Sequence, residues 1–148
     1  MRHFEEACLA GVPTREIHGE LHTGIGQEAI AAGIAPWLRR DDALVSTHRN
    51  HLHGLAKGVD RRAYLAEIFE RETGLCRGRG GHMHPFEPAT NFSATGIVGS
   101  SIPVALGYAY AYKMEGGTRS PSPSPATGRR TRAPSTSRST WRAPGSCR

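Results

Sequence analysis

Asp41-Asp42-Ala43-Leu44-Val45-Ser46-Thr47-His48-Arg49 is the stretch on which the fold turns. Two adjacent aspartates make a turn, and Ala43 to Ser46 follow as a short strand whose apolar residues are consecutive rather than alternating. Such a run suits a parallel strand covered on both faces. Arg49 stands just past its C-terminal end, where ligands bind in open α/β sheets. A planar, permanently charged guanidinium there suits a phosphate, although a solvated loop arginine has the same local sequence.

Outward from this strand, the chain alternates. Arg2 to Gly11 carries Phe4, Cys8 and Leu9 at helical spacing, with Gly11 as a stop. Ile25 to Leu38 is apolar nearly all round, as expected of a buried helix, with Thr23 as its N-cap and Pro36 in its last turn. Arg61 to Arg71 places Tyr64, Leu65, Ile68 and Phe69 on one face, with Asp60 as cap. Gly74 to Pro85 is a glycine-rich loop able to present backbone N–H groups to an anion. Gly96-Ile97-Val98-Gly99 is the second strand, entering a helix from about Ser100 to Met114. Helix, strand, helix, glycine loop, strand and helix in that order predict an α/β fold with a parallel sheet and covering helices.

The pattern breaks at Ser120. The last 29 residues contain no Asp, Glu, Val, Ile, Leu, Phe or Met. Residues 1–119 are therefore expected to be one folded unit, and 120–148 a Ser/Pro/Arg-rich disordered tail. The strand due after the last helix is expected to be missing, because the Ser-Pro repeat from Ser120 to Pro125 cannot be a central strand. Thirteen of the 19 basic residues lie in the body and match all 13 acidic ones, so the net charge of +6 belongs to the tail.

Several function classes fall away. No run of about 18 apolar residues is present, so no membrane span is expected. With no basic stripe on any predicted element, nucleic acid is not the expected partner. Cys8, Cys76 and Cys147 form no C-x-x-C pair, which favours unpaired thiols and a cytoplasmic setting. The clusters His48/His51/His53 and His82/His84 lack a neighbouring carboxylate, so loop or ligand-lining histidines are expected before a zinc centre. Gly96 and Gly99 leave room for a flat ligand, or for tight packing of a strand into a helix.

Five ordered segments carry a resemblance: Gly24-Ile-Gly26-Gln27-Glu28-Ala29, Ser46-Thr-His-Arg-Asn-His51, Ala56-Lys-Gly58, Gly78-Arg-Gly80-Gly81-His-Met83-His84 and Gly96-Ile-Val-Gly99. Together they resemble the α subunit of the thiamine-diphosphate-dependent 2-oxo acid dehydrogenases, the pyruvate, branched-chain and acetoin dehydrogenase group, over about residues 2–119. The resemblance implies an incomplete thiamine-diphosphate-binding fold. It implies that His48 and Arg49 contact the cofactor diphosphate, that Gly96 and Val98 bond its aminopyrimidine through the main chain, and that His84 lies near the substrate channel as the candidate catalytic residue. The implied chemistry is the cofactor's own, an oxidative decarboxylation of a 2-oxo acid with acyl transfer to a lipoyl group, a disulfide acceptor. The implied partners are a β subunit in an α₂β₂ assembly, a lipoyl-bearing acyltransferase core and the 2-oxo acid.

The family pattern continues with a strand ending in Gly-Asp-Gly and a later Asn, whose oxygens hold Mg²⁺. This chain supplies neither, so no metal ligand is assigned and the chain alone is expected to be inactive. A single missing nucleotide near Arg119 would explain the break. Read one base earlier, the serine codons TCx give Val, Leu, Ile or Phe, and Ala126-Thr127-Gly128 can become Gly-Asp-Gly. The competing class is a non-enzymatic basic binding module that uses the Arg-rich tail, and a zinc hydrolase built on the histidines stands third.

Overall fold

The computed structural model describes residues 1–116 together with the backbone of 121–123. Its elements run α1 (Arg2–Ala10), α2 (Glu28–Ile34), β1 (Ala43–Ser46), α3 (His51–Lys57), α4 (Arg61–Ile68), β2 (Phe86–Glu87), β3 (Phe92–Ala94), α5 (Ser101–Met114) and β4 (Pro121–Pro123). Short 3-10 turns sit at Ala35–Trp37 and Pro88–Thr90. The α/β class is as expected.

All four residues of β1 are buried, and the strand lies inside a sheet of order β2-β3-β1-β4. It pairs in parallel with β3, Leu44 opposite Phe92, and in parallel with β4, Leu44 opposite Ser122. Two expectations are corrected here. The sheet is mixed, because β2 runs antiparallel to β3. The Ser-Pro repeat does supply a strand: β4 lies at the sheet edge, where missing proline donors are tolerated. The rest of the expected disordered tail lies outside the described residues.

Two further corrections concern placement. The second parallel strand is Phe92–Ala94, not Gly96–Gly99. Phe92 is fully buried while Ile97 and Val98 are exposed, so the turn after β3, not the strand, carries the glycines. The second helix begins at Glu28 without a side-chain cap, because Gly24 to Gly26 make a turn in which Gly26 takes φ +87°. Thr23 is therefore not its cap. Only Ala31 of this helix is buried, so it is not the enclosed helix its composition suggested.

Cys8, Ile17, Leu44, Val59, Tyr64, Ile68 and Phe92 form the core, with Phe4, Leu65 and Phe69 packed against it. Gly11 ends α1 where a Cβ would come within 2.7 Å of Phe69 Cζ. Gly54 is equally constrained, since a Cβ there would lie 2.4 Å from Tyr64 Cε1. Asp60 caps α4 as expected, accepting from Arg62 N at 2.9 Å and Ala63 N at 2.8 Å. Asp60→Ala should therefore lower stability by about 1 kcal/mol, read as a shifted urea midpoint with an unchanged slope.

Candidate functional site

β1 and β3 are parallel neighbours, so the segments after them emerge at one end of the sheet. Thr95 N donates to Ser46 O at 3.2 Å and joins the two exits. Thr47 to Asn50 leave β1 there, and Gly96 to Gly99 leave β3. His48, Arg49, Gly96 and Val98 are thus brought to the same C-terminal sheet edge, the ligand position of open α/β sheets.

Arg49 is half-buried and donates from Nη1 to Thr23 O at 2.5 Å. His48 Nδ1 is buried with no hydrogen-bond partner. Burial, then His22 and the Arg49 guanidinium, push the His48 imidazole below the ordinary histidine range, so it is neutral at pH 7. Neither Gly96 nor Val98 spends a main-chain N–H or C=O on another described residue. Gly99 takes φ +88° with open space where a Cβ would stand. That conformation favours glycine.

His84 is exposed and reaches this edge. A Cβ on Gly96 would meet its Nε2 at 3.1 Å and Met83 Sδ at 3.2 Å, so loop and turn are in van der Waals contact. Sequence reasoning missed His22 as a member of the site. Its ring lies edge-on to His48 with centroids 4.9 Å apart, and its Nδ1 is 3.2 Å from His82 Nε2. A lone histidine before a glycine turn gives no local signal of this. Burial, with His51, His22, His48 and His84 as lesser causes, pulls the His82 imidazole down to about 4.

His51 and His53 correct the expectation of solvated loop histidines. Both lie in α3 and are buried. His51 Nδ1 bonds the buried Glu5 carboxylate at 2.9 Å, and His53 Nδ1 bonds Ser46 Oγ at 2.8 Å. Among the described residues, no group of three histidines, cysteines or carboxylates is placed to hold a metal ion. The zinc reading therefore lacks a ligand set there.

His82 implies a pH dependence. An unfolded chain takes up its proton near 6.5 and the folded chain only near 4. Its contribution is complete above pH 6.5 and is lost as pH falls toward 4. Discounted for solvent screening, the loss is about 2 kcal/mol. His82→Gln should flatten that part of a stability-against-pH curve measured by urea unfolding.

Known proteins provide an independent comparison. Residues 1–120 match the family described as Dehydrogenase E1 component. The chain is 42% identical over 113 residues to the pyruvate dehydrogenase E1 component subunit alpha-3, chloroplastic, of Oryza sativa subsp. japonica, covering 76% of this chain and 27% of that protein. It is 37% identical over 117 residues to the pyruvate dehydrogenase E1 component subunit alpha of Rickettsia bellii, covering 78% and 36%. The mitochondrial subunit alpha of Schizosaccharomyces pombe is 39% identical over 114 residues, covering 76% and 27%. The matched region thus spans between about a quarter and somewhat over a third of the relatives' length. A match over that share of this sequence fixes its kinship: the chain belongs to the dehydrogenase E1 component family.

Proposed function

We propose that this chain is the cofactor-gripping front part of an α subunit of a thiamine-diphosphate-dependent 2-oxo acid dehydrogenase. One observation carries the reading: His48 and Arg49 after β1 and the unspent main-chain groups of Gly96 and Val98 after β3 share one sheet edge. A diphosphate needs a fixed cation and N–H donors, and an aminopyrimidine needs main-chain donors and acceptors. These residues fit those two parts of the cofactor. Its metal is another matter, since no group of three histidine, cysteine, aspartate or glutamate side chains is placed to hold an ion among the described residues.

When bound, the cofactor would supply the carbanion chemistry of decarboxylation. The protein's part is narrower. Arg49 exchanges the Thr23 carbonyl for a phosphate oxygen and holds it by fixed charge. His48, neutral, donates a hydrogen bond without adding charge. His84, exposed beside Gly96, would face the incoming 2-oxo acid. The exposed Ile97, Val98, Ile102, Leu106 and Met114 support an assembly in which further protein covers apolar side chains of the turn and of α5. In this reading the cover includes a β subunit in an α₂β₂ assembly, with a lipoyl-bearing acyltransferase core as acyl acceptor. Without the Gly-Asp-Gly and Asn segment, the chain alone is inactive.

The gene provides the test. Reinstating one nucleotide before the Ser120 codon should extend the reading frame through Gly-Asp-Gly, and early stop codons there would end the idea. The restored chain should bind thiamine diphosphate with Mg²⁺. Arg49→Ala in it should weaken binding about tenfold or more, the worth of one charge-assisted hydrogen bond. Unchanged affinity would remove Arg49 from the site.

A further inference from the structure

The backbone N–H groups of the glycine-rich loop do face an anion, and that anion belongs to the chain itself. Glu67, in the last turn of α4, is fully buried. Its Oε2 accepts from Cys76 N at 2.6 Å and Gly78 N at 2.9 Å. Its Oε1 accepts from Gly80 N at 2.7 Å and Gly81 N at 3.1 Å. Four main-chain donors converge on one carboxylate, the arrangement of an anion nest. The wrapping is tight. A Cβ on Gly74 would lie 2.5 Å from Glu67 Oε2, one on Gly78 would lie 2.4 Å from the Glu70 carbonyl carbon, and one on Gly80 would lie 2.5 Å from His84 O.

We propose that Glu67 is a positioning residue for the candidate site: as a built-in anion it folds residues 76–81, and so sets His82 against His22 and His84 against Gly96. The loop leaves the cage directly into both histidines. His84 N donates to Gly80 O at 3.1 Å, which ties the start of the next segment to the caged one. His82 O accepts from Asn50 Nδ2 at 2.8 Å, and Asn50 Oδ1 accepts in turn from the Tyr64 hydroxyl. The loop is therefore held at two places, by a carboxylate before His82 and by a buried amide at it. Glycine loses more freedom on ordering than any other residue, so a loop with three glycines in six residues needs such specific partners to hold one shape. With both oxygens occupied by amides, Glu67 acts through the loop rather than on a ligand.

The inference deepens the reading of the site and rests on it for any effect on cofactor binding. Spectra of the full chain without cofactor test the loop alone, so the two can fail separately. In Glu67→Gln, an NH₂ group faces N–H donors, and a charged set of hydrogen bonds becomes a neutral, frustrated one. Amide exchange at Cys76, Gly78, Gly80 and Gly81 should then be roughly 10- to 100-fold faster. The ring-nitrogen signals of His22 and His82 should move, while those of His53, whose ring bonds Ser46 Oγ, stay. A folded variant with unmoved His22 and His82 signals overturns the proposal. Should the variant not fold, the unaltered chain decides. Slow exchange at all four amides with a cross-relaxation contact between the His84 ring and Gly96 supports it, and fast exchange or a missing contact overturns it.

Discussion

Glu5→Ala should cost about 3–5 kcal/mol, the range for removing one partner of a buried ionic or hydrogen-bonded pair. Glu5 and His51 are both fully buried. One Glu5 oxygen accepts from His51 Nδ1 at 2.9 Å and the other from Gly24 N at 3.0 Å. Truncation orphans both donors, and His51 Nε2 already lacks a partner. The damage spreads, because Phe4 packs on both His51 and Tyr64. Total stability of a small domain is about 5–15 kcal/mol, so the variant should lose much of its cooperative thermal transition. Glu5→Gln keeps an acceptor for one of the two donors and should cost less, about 1–3 kcal/mol. Circular dichroism against temperature checks both, and a Glu5→Ala chain within about 1 kcal/mol of the parent would contradict the pairing.

Phe92→Ala should cost about as much, 3–5 kcal/mol in the usual range for a large aromatic cut from a core. The ring is fully buried, lies 6.0 Å from that of Tyr64, and closes over Gly54. Phe92 also stands opposite Leu44 across the β1–β3 ladder. Its loss therefore loosens the strand that delivers Thr95 to Gly99 to the site. Urea unfolding should show a lower midpoint, and the His84–Gly96 contact should weaken with it. A midpoint unchanged within error would mean that the core is not centred on this pair.

Local sequence carried the elements whose reasons are local. β1 was legible because four residues buried on both faces leave no room for polar alternation. α4 was legible because Asp60 caps it and its apolar face has helical spacing. The last helix was legible within a residue or two of its observed bounds, Ser101–Met114. Where the reasons lie far along the chain, the reading failed. α3 is short and rich in His, Gly and Lys, and its polar residues are buried only because distant groups satisfy them. Its His51 finds Glu5 46 positions away, and Lys57 Nζ donates to Arg39 O at 2.5 Å and Arg40 O at 3.1 Å.

The site divides the same way. His48 and Arg49 could be placed at a strand end from sequence, since the strand itself was plain. His22 could not, because its place beside His48 and His82 is set by packing 60 residues apart for the latter pair. The glycine loop was legible as a nest, but nothing local named Glu67, which lies 11 positions before Gly78, as its anion. β3 was shifted by composition: Ile97 and Val98 look like strand, yet the three residues from Phe92 pair with β1. The proline-bearing β4 was dismissed for want of donors, a rule that binds inside a sheet and relaxes at its edge.

Calorimetric titration of this polypeptide with thiamine diphosphate, with and without Mg²⁺, bears most directly on the claim that it holds the organic grip on the cofactor but not the metal's. The expected result is weak binding, in the range of about 1 mM, with little gain from Mg²⁺ and a loss in Arg49→Ala. Micromolar one-site binding that requires Mg²⁺ would contradict it.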